Sequence, residues 1–574
     1  MKRILSKNKS YLFLILIFAS VTILLFTDQG NSKNISVFPS DSTLNQSIDT
    51  SRKTIILNDA APMYDMKCES KMSQNIGLST GGAKDIDNFR QNIKNGYMPL
   101  DAALTYEGLF YDYYFETGGE QECNSLFCPA YTFAFSKDPF SENNDYYMSV
   151  GLNSNIKTED FKRKNLNLVI LLDRSGSMGS AFDRYYYDRY KIQGTANTYE
   201  DVSPEKTKIE MARTVVSNLL DKLNDDDNFG LVTFDSYSDV VIRLSSMYNI
   251  DMYKTRKTIS TIDARNSTNL EAGYKDAMKQ FDRAATDDND YENRIIVISD
   301  EMPNTGVYSE NGLLELMKKS AGDKIYTTFI GVGVDYNSEL VEAITKVRGA
   351  NYYSVHSNGE FKKRVDDEFD YMVTPLVFGL SMGMKSEGFK IEKIYGSPEA
   401  NQSTGELMKV NTLFASERKD EQTRGGIIVL KLKKISDDNN ITFNIRYEDR
   451  TGKIFRNETS TKFPSMSEDF YGNNGLRKAI LLVRYADLMK QWLGNEIPAA
   501  DKNVNVDDKE GQTVYFIGQK YRLNKWERQS ETLYVPREYK KLFSAYKTYF
   551  ESEMSIIGDT TMQKEADLLG ALSK

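Results

Sequence analysis

The apolar positions divide the chain into stretches of different period. Residues 11–26 carry no charge, follow Lys2, Arg3, Lys7 and Lys9, and give way to Thr27 and Asp28. Basic residues ahead of a hydrophobic run read as a secretory signal peptide or an uncleaved signal-anchor. The run is slightly short for a span unless its flanks extend it. Residues 1–27 are therefore expected to enter a membrane with the positive flank in the cytoplasm and the bulk of the chain outside, as a single-pass protein if the segment stays and a secreted or periplasmic one if it is cleaved. Residues 28–72 are rich in Ser, Asn, Asp and Thr and read as a flexible tether. Beyond Lys84, Ile86, Phe89 and Ile93 share a helical face that Gly96 ends, Pro99 opens a second short helix over 100–104, and 130–135 has strand character. Residues 73–160 are thus expected to form a small N-terminal α+β accessory region.

Residues 161–360 alternate strand and helix. The unbroken apolar run 168–172 suits a strand covered on both faces. Ile209, Ala212, Val216, Leu219, Leu220 and Leu223 recur at helical spacing, and further strands are expected at 229–234, 240–244, 295–298, 325–332 and 350–355. Helices are expected at 269–283, from Gly312 onward, and at 337–346. This rhythm predicts an α/β fold with a doubly wound, mostly parallel central sheet. Residues 361–380 read as a connecting helix and strand. The rest of 361–470 is β-rich, read as a small β-sandwich over 388–463, and 471–574 is mainly helical, with an amphipathic stretch at 474–493 and a tail at 537–572.

Composition removes several chemistries. The formal charge of −9 argues against nucleic-acid binding. The single histidine, His356, excludes zinc sites built on two or three histidines of one chain. A Ser-His-Asp triad would need that residue, which lies in Tyr-Tyr-Ser-Val-His-Ser with no nucleophile elbow in the chain. No enzymatic activity is expected. Cys68, Cys123 and Cys128 are too few for a disulfide-built scaffold. Any two can pair, and Cys123 with Cys128 is the expected bridge because the short loop closes at low entropic cost. The acidic runs 225–227 and 437–438 lack calcium-loop spacing and read as solvated turns.

The informative motif is Asp173-Arg174-Ser175-Gly176-Ser177-Met178, placed directly behind the 168–172 strand. Open α/β sheets bind ligands at the carboxyl ends of their strands. A tight turn at Gly176 lets one carboxylate and two hydroxyls converge. Thr268 precedes a helix, and Asp300 ends the strand at 295–298. Asp173, Ser175, Ser177, Thr268 and Asp300 thus offer hard oxygen donors from three loops on one edge, a set suited to Mg²⁺, with Mn²⁺ or Ca²⁺ as alternatives.

On these residues, with Glu210-Met211-Ala212-Arg213 and Thr233-Phe234, the stretch 166–356 resembles a von Willebrand factor A domain with a complete metal-ion-dependent adhesion site. The order of regions is similar to bacterial secreted proteins related to inter-alpha-trypsin inhibitor heavy chains and called calcium-activated-chloride-channel-like. The resemblance implies that Ser175, Ser177 and Thr268 contact the cation, that Asp173 and Asp300 act through waters, and that one coordination position is left for a partner's Asp or Glu. Glu301 departs from the glycine usual there. The insert from Ser180 to Val202, with Tyr185, Tyr186, Tyr187 and Tyr190, lies beside the motif and is a candidate partner contact together with Glu301. The expected function is a metal-dependent protein-binding module for adhesion or complex assembly outside the cytoplasm; the alternative is a membrane-anchored scaffold or regulatory subunit of an envelope complex.

Overall fold

The computed structural model describes residues 75–84, 86–118, 124–141, 143–182, 206–283, 290–300, 310–333, 346–355, 367–397, 407–465, 469–503, 513–516, 519–522 and 531–574. They fall into two units. In one, the turn Asp138–Asn143 closes through the Asp138 amide on the Asn143 carbonyl at 3.0 Å. The larger unit takes in Pro62–Lys137 and Asn144–Lys574.

At the centre of the larger unit the strand Asn165–Asp173 lies between Asn228–Phe234 and Tyr291–Ser299, both parallel to it. The sheet continues through Ile325–Val332 and Asn351–Val355 to the two-residue strand Gly82–Ala83, all parallel. Ser238–Ser246 closes the other edge antiparallel to its neighbour. The unbroken apolar run has a direct cause, because successive side chains of a strand point to opposite faces. Leu168, Ile170 and Leu172 pack with Ile209, Ala212, Val216 and Leu219 of the helix Lys208–Leu220. Val169 and Leu171 face the other way, onto Leu270, Tyr274 and Ala277 of the helix Leu270–Lys279. Gly273 permits that second contact: a Cβ there would stand 2.8 Å from the Phe234 Cβ and 2.9 Å from a Leu171 methyl. Of the helix expected at 337–346, residues 337–345 lie outside the described residues.

The regions before and after the parallel sheet are joined. Asn75–Thr80, Cys128–Lys137 and Asn144–Lys157 share one ten-stranded antiparallel sheet with strands between Pro375 and Tyr471. The sandwich expected over 388–463 therefore does not form from that stretch alone, since strands from residues 75–157 complete it. Tyr131 stacks on Phe443 at 4.6 Å although their strands are not neighbours in the sheet, so the sheet folds back around its own core of Leu78, Val150, Leu380, Ile428 and Phe443.

The helix Asp87–Lys94 buries Phe89 and Ile93, and Gly96 follows it with a φ of 78°. The C-terminal helices are Asn474–Asn503, Arg537–Ile557 and Gln563–Leu572. Glu565 of the last is buried and accepts from the Tyr113 hydroxyl at 2.8 Å and from Arg90. The 225–227 run departs from a solvated turn. Asp225 and Asp226 are exposed, but Asp227 is buried, accepts from both terminal nitrogens of Arg163 at 2.8 and 2.6 Å, and takes the Leu166 and Asn224 amides at 2.7 and 2.8 Å. Cys128 is disulfide-bonded, and Cys68 and Cys123 both lie outside the described residues. Among the described residues no helix is long and apolar enough to cross a membrane; the run 11–26 lies outside them.

Candidate metal centre

Parallel pairing puts the carboxyl ends of neighbouring strands on one edge. Leu172 pairs with Ile298, so Asp173 comes level with Ser299, and Asp300 follows directly. Both aspartates are fully buried. One Asp173 oxygen accepts the Ser175 amide at 2.8 Å and the other accepts the Ser299 hydroxyl at 2.6 Å. The chain then turns through Gly176–Gly179, which brings the Ser175 and Ser177 hydroxyls to 3.0 Å from each other. Ser177 donates to Asp300 Oδ1 at 3.0 Å, closing a chain of contacts from Asp173 to Asp300.

Thr268 lies on the loop that borders this turn. The Arg265 amide donates to the Arg174 carbonyl at 2.7 Å, and the Gly176 amide donates to the Asn266 carbonyl at 2.9 Å. Asn266 takes a left-handed φ of 63°, which asparagine tolerates better than most residues. Asn269 then caps the helix by accepting the Ala272 amide at 3.1 Å. Thr268 itself is buried. Asp173, Ser175, Ser177 and Asp300 thus form one hydrogen-bonded cluster, with Thr268 on a loop tied to it. Glu301, Tyr185, Tyr186, Tyr187 and Tyr190 lie outside the described residues.

Two participants were not singled out from the sequence. Ser299 reaches Asp173, and Lys208 Nζ lies 3.0 Å from Asp300 Oδ2 with both side chains fully buried. For Lys208 a signal existed. With Ala212, Val215 and Leu219 it follows the spacing of one helical stripe, and those three residues are buried.

Burial pushes the Asp173 carboxyl up to about 7, and the charge of Asp300 adds to the rise, while the bonds from Ser299 and Ser175 hold it back. Two buried carboxylates that repel each other, lined by hydroxyls, suit a hard divalent cation. Among the described residues no three His, Cys, Asp or Glu side chains converge, and the oxygens gathered beside Asp173 and Asp300 are the hydroxyls of Ser175 and Ser177.

The family model described as von Willebrand factor type A domain matches residues 168–302. The chain contains a von Willebrand factor type A domain. Such A domains are generally protein-interaction modules, and they commonly bind a divalent cation. No curated protein matches the chain. Among solved structures, the chain is similar to a von Willebrand factor type A protein from Catenulispora acidiphila, at 12% identity and a TM-score of 0.40 over 74% of this chain and 97% of that one. It is also similar to the ArnB paralog VWA2 from Sulfolobus acidocaldarius, at 12% identity and a TM-score of 0.36 over 78% and 98%. A third is the conserved hypothetical protein BatB from Bacteroides thetaiotaomicron, at 18% identity and a TM-score of 0.27 over 36% and 98%.

Proposed function

We propose that the A domain is a metal-dependent protein-binding module, without enzymatic activity, that captures an Asp or Glu of a partner at the carboxyl edge of its parallel sheet. Asp173, Ser175, Ser177, Thr268 and Asp300 would hold the cation, Mg²⁺ in the first instance, as a complete metal-ion-dependent adhesion site. When bound, the cation supplies a Lewis-acidic centre for an anionic oxygen, and the neutral hydroxyls leave more of its charge unmet than an all-carboxylate set would. The observation behind this reading is the buried chain of contacts from Asp173 through Ser175 and Ser177 to Asp300. The basic N-terminal flank and the apolar run behind it support a place outside the cytoplasm, on the membrane or released from it. The test is Mn²⁺ titration of the full chain beside Asp173→Ala, followed by capture from the cell envelope in Mg²⁺ against EDTA. Binding to the wild type that D173A loses, and capture that EDTA abolishes, are the expected results. Equal Mn²⁺ binding by D173A would refute the site, and equal capture in EDTA would refute the function.

A further inference from the structure

Lys208 puts a positive charge inside the proposed metal centre. It is the first residue of the helix Lys208–Leu220, whose start is held by a capping box between Thr207 and Glu210. Its amide donates to the Ser180 carbonyl at 3.1 Å, which ties the helix to the end of the Ser175–Ser177 turn. The side chain then runs past Gly333, just beyond the strand Ile325–Val332. A Cβ on Gly333 would come within 2.8 Å of Lys208 Cε and 3.3 Å of Cδ, and Gly333 has a φ of 94°. The left-handed backbone favours glycine at that position, and the glycine leaves room for the lysine stem to pass. The ammonium ends 3.0 Å from Asp300 Oδ2, with neither side chain exposed.

The two oxygens of Asp300 thus have different neighbours. Oδ1 faces Ser177 and the donor cluster, and Oδ2 faces Lys208. A buried carboxylate and ammonium are each costly alone and tolerable as a hydrogen-bonded pair. The pair orients Asp300 before any cation arrives. It also lowers the combined charge of Asp173, Asp300 and Lys208 from −2 to −1, with a matching loss of attraction for a divalent ion. We infer that Lys208 is a resident counter-cation that positions Asp300 and holds the site's affinity for divalent metal down, so that loading follows the ambient metal level. This rests on the metal-binding reading above.

The test uses the full chain, with Mn²⁺ alone as probe, in wild type, D173A, Lys208→Met, Lys208→Gln and Lys208→Arg. Isothermal titration gives the dissociation constant, and thermal melts with and without Mn²⁺ give the metal-induced rise in Tm. Both neutral variants should bind Mn²⁺ about tenfold more tightly or better, because a like charge is gone from the site. Their metal-induced rise in Tm should exceed the wild type's, while K208R, which keeps the positive charge, should show no gain in Mn²⁺ affinity. A merely structural lysine would predict the reverse, with weaker binding and a smaller rise. Should K208M need Mn²⁺ to fold, K208Q retains a hydrogen-bond donor toward Asp300 and carries the comparison. Equal or weaker Mn²⁺ binding by the folded neutral variants overturns the inference and leaves the site standing if D173A alone loses the metal. Absence of Mn²⁺ binding in the wild type and in K208Q alike overturns both readings.

Discussion

Ser299 donates its hydroxyl to Asp173 at 2.6 Å, from the strand beside the one that Asp173 ends. The bond fixes one carboxylate oxygen while the Ser175 amide fixes the other. Ser299→Ala should therefore leave a buried charged acceptor short of a donor, at a cost of about 1–3 kcal/mol. Urea unfolding of the metal-free chain measures this. An unchanged midpoint and slope would show that the bond contributes nothing to the fold.

Arg163 grips Asp227 through both terminal nitrogens, and Asp227 also receives the Leu166 and Asn224 amides. This one carboxylate anchors the starts of two central strands. Asp227→Asn should cost about 3 kcal/mol or more, because it removes the charge that compensates the guanidinium and turns one of the two acceptor oxygens into a donor facing one backbone amide and one guanidinium N–H. Asp225→Asn, on an exposed neighbour, should stay within about 0.5 kcal/mol. Comparable losses in the two variants would contradict the distinction.

That contrast bears on what a sequence can reveal. Leu168 to Leu172 could be read as a strand buried on both faces because every position is apolar, and the motif behind it could be placed at the carboxyl edge of the sheet for the same reason. Asp300 followed from a second apolar run. Asp225, Asp226 and Asp227 look alike in one dimension, and only the arrival of Arg163 from another segment separates them. Gly82–Ala83 is too short to show any period, yet it pairs with Asn351 and Tyr352 at the sheet edge. The strand Asn75–Thr80 carries no mark of its partner, since Leu78 meets Ala415 only through the fold. Periodicity reports which face is buried; it is silent about which distant strand covers it.

Glu107 gives the fold a pH dependence of its own. It lies in the helix Tyr106–Tyr111, and burial pushes its carboxyl up to about 7, with the bond to its own backbone and the charges of Lys490 and Lys84 among the opposing influences. Its ordinary value is 4.5, so between that pH and about 7 the native chain holds a proton that the unfolded chain has released. Its contribution to stability is therefore complete below pH 4.5, falls as pH rises, and is lost above about 7. The full difference is on the order of 3 kcal/mol. Glu107→Gln should remove this part of the slope. Denaturant unfolding at pH 5 and pH 8 tests it, and parallel profiles for wild type and E107Q would refute the assignment.

Thr268 separates the metal reading from one based on loop shape. The loop is held to the Ser175–Ser177 turn by the Arg265 and Gly176 amides, and both bonds are backbone to backbone. Asn269, not Thr268, caps the following helix. Thr268→Ala leaves every one of these contacts available but removes a buried hydroxyl and methyl, so it should cost the metal-free fold about 1–2 kcal/mol without unfolding it. If its hydroxyl holds the cation, the variant should bind Mn²⁺ more weakly and capture the envelope partner at the level that EDTA leaves in the wild type. The double variant D173A/T268A should then capture no less than D173A alone, since groups that serve one ion do not lose their effects additively. Full capture by T268A in Mg²⁺, with EDTA still abolishing capture by the wild type, would remove Thr268 from the donor set and leave the cation to the cluster between Asp173 and Asp300.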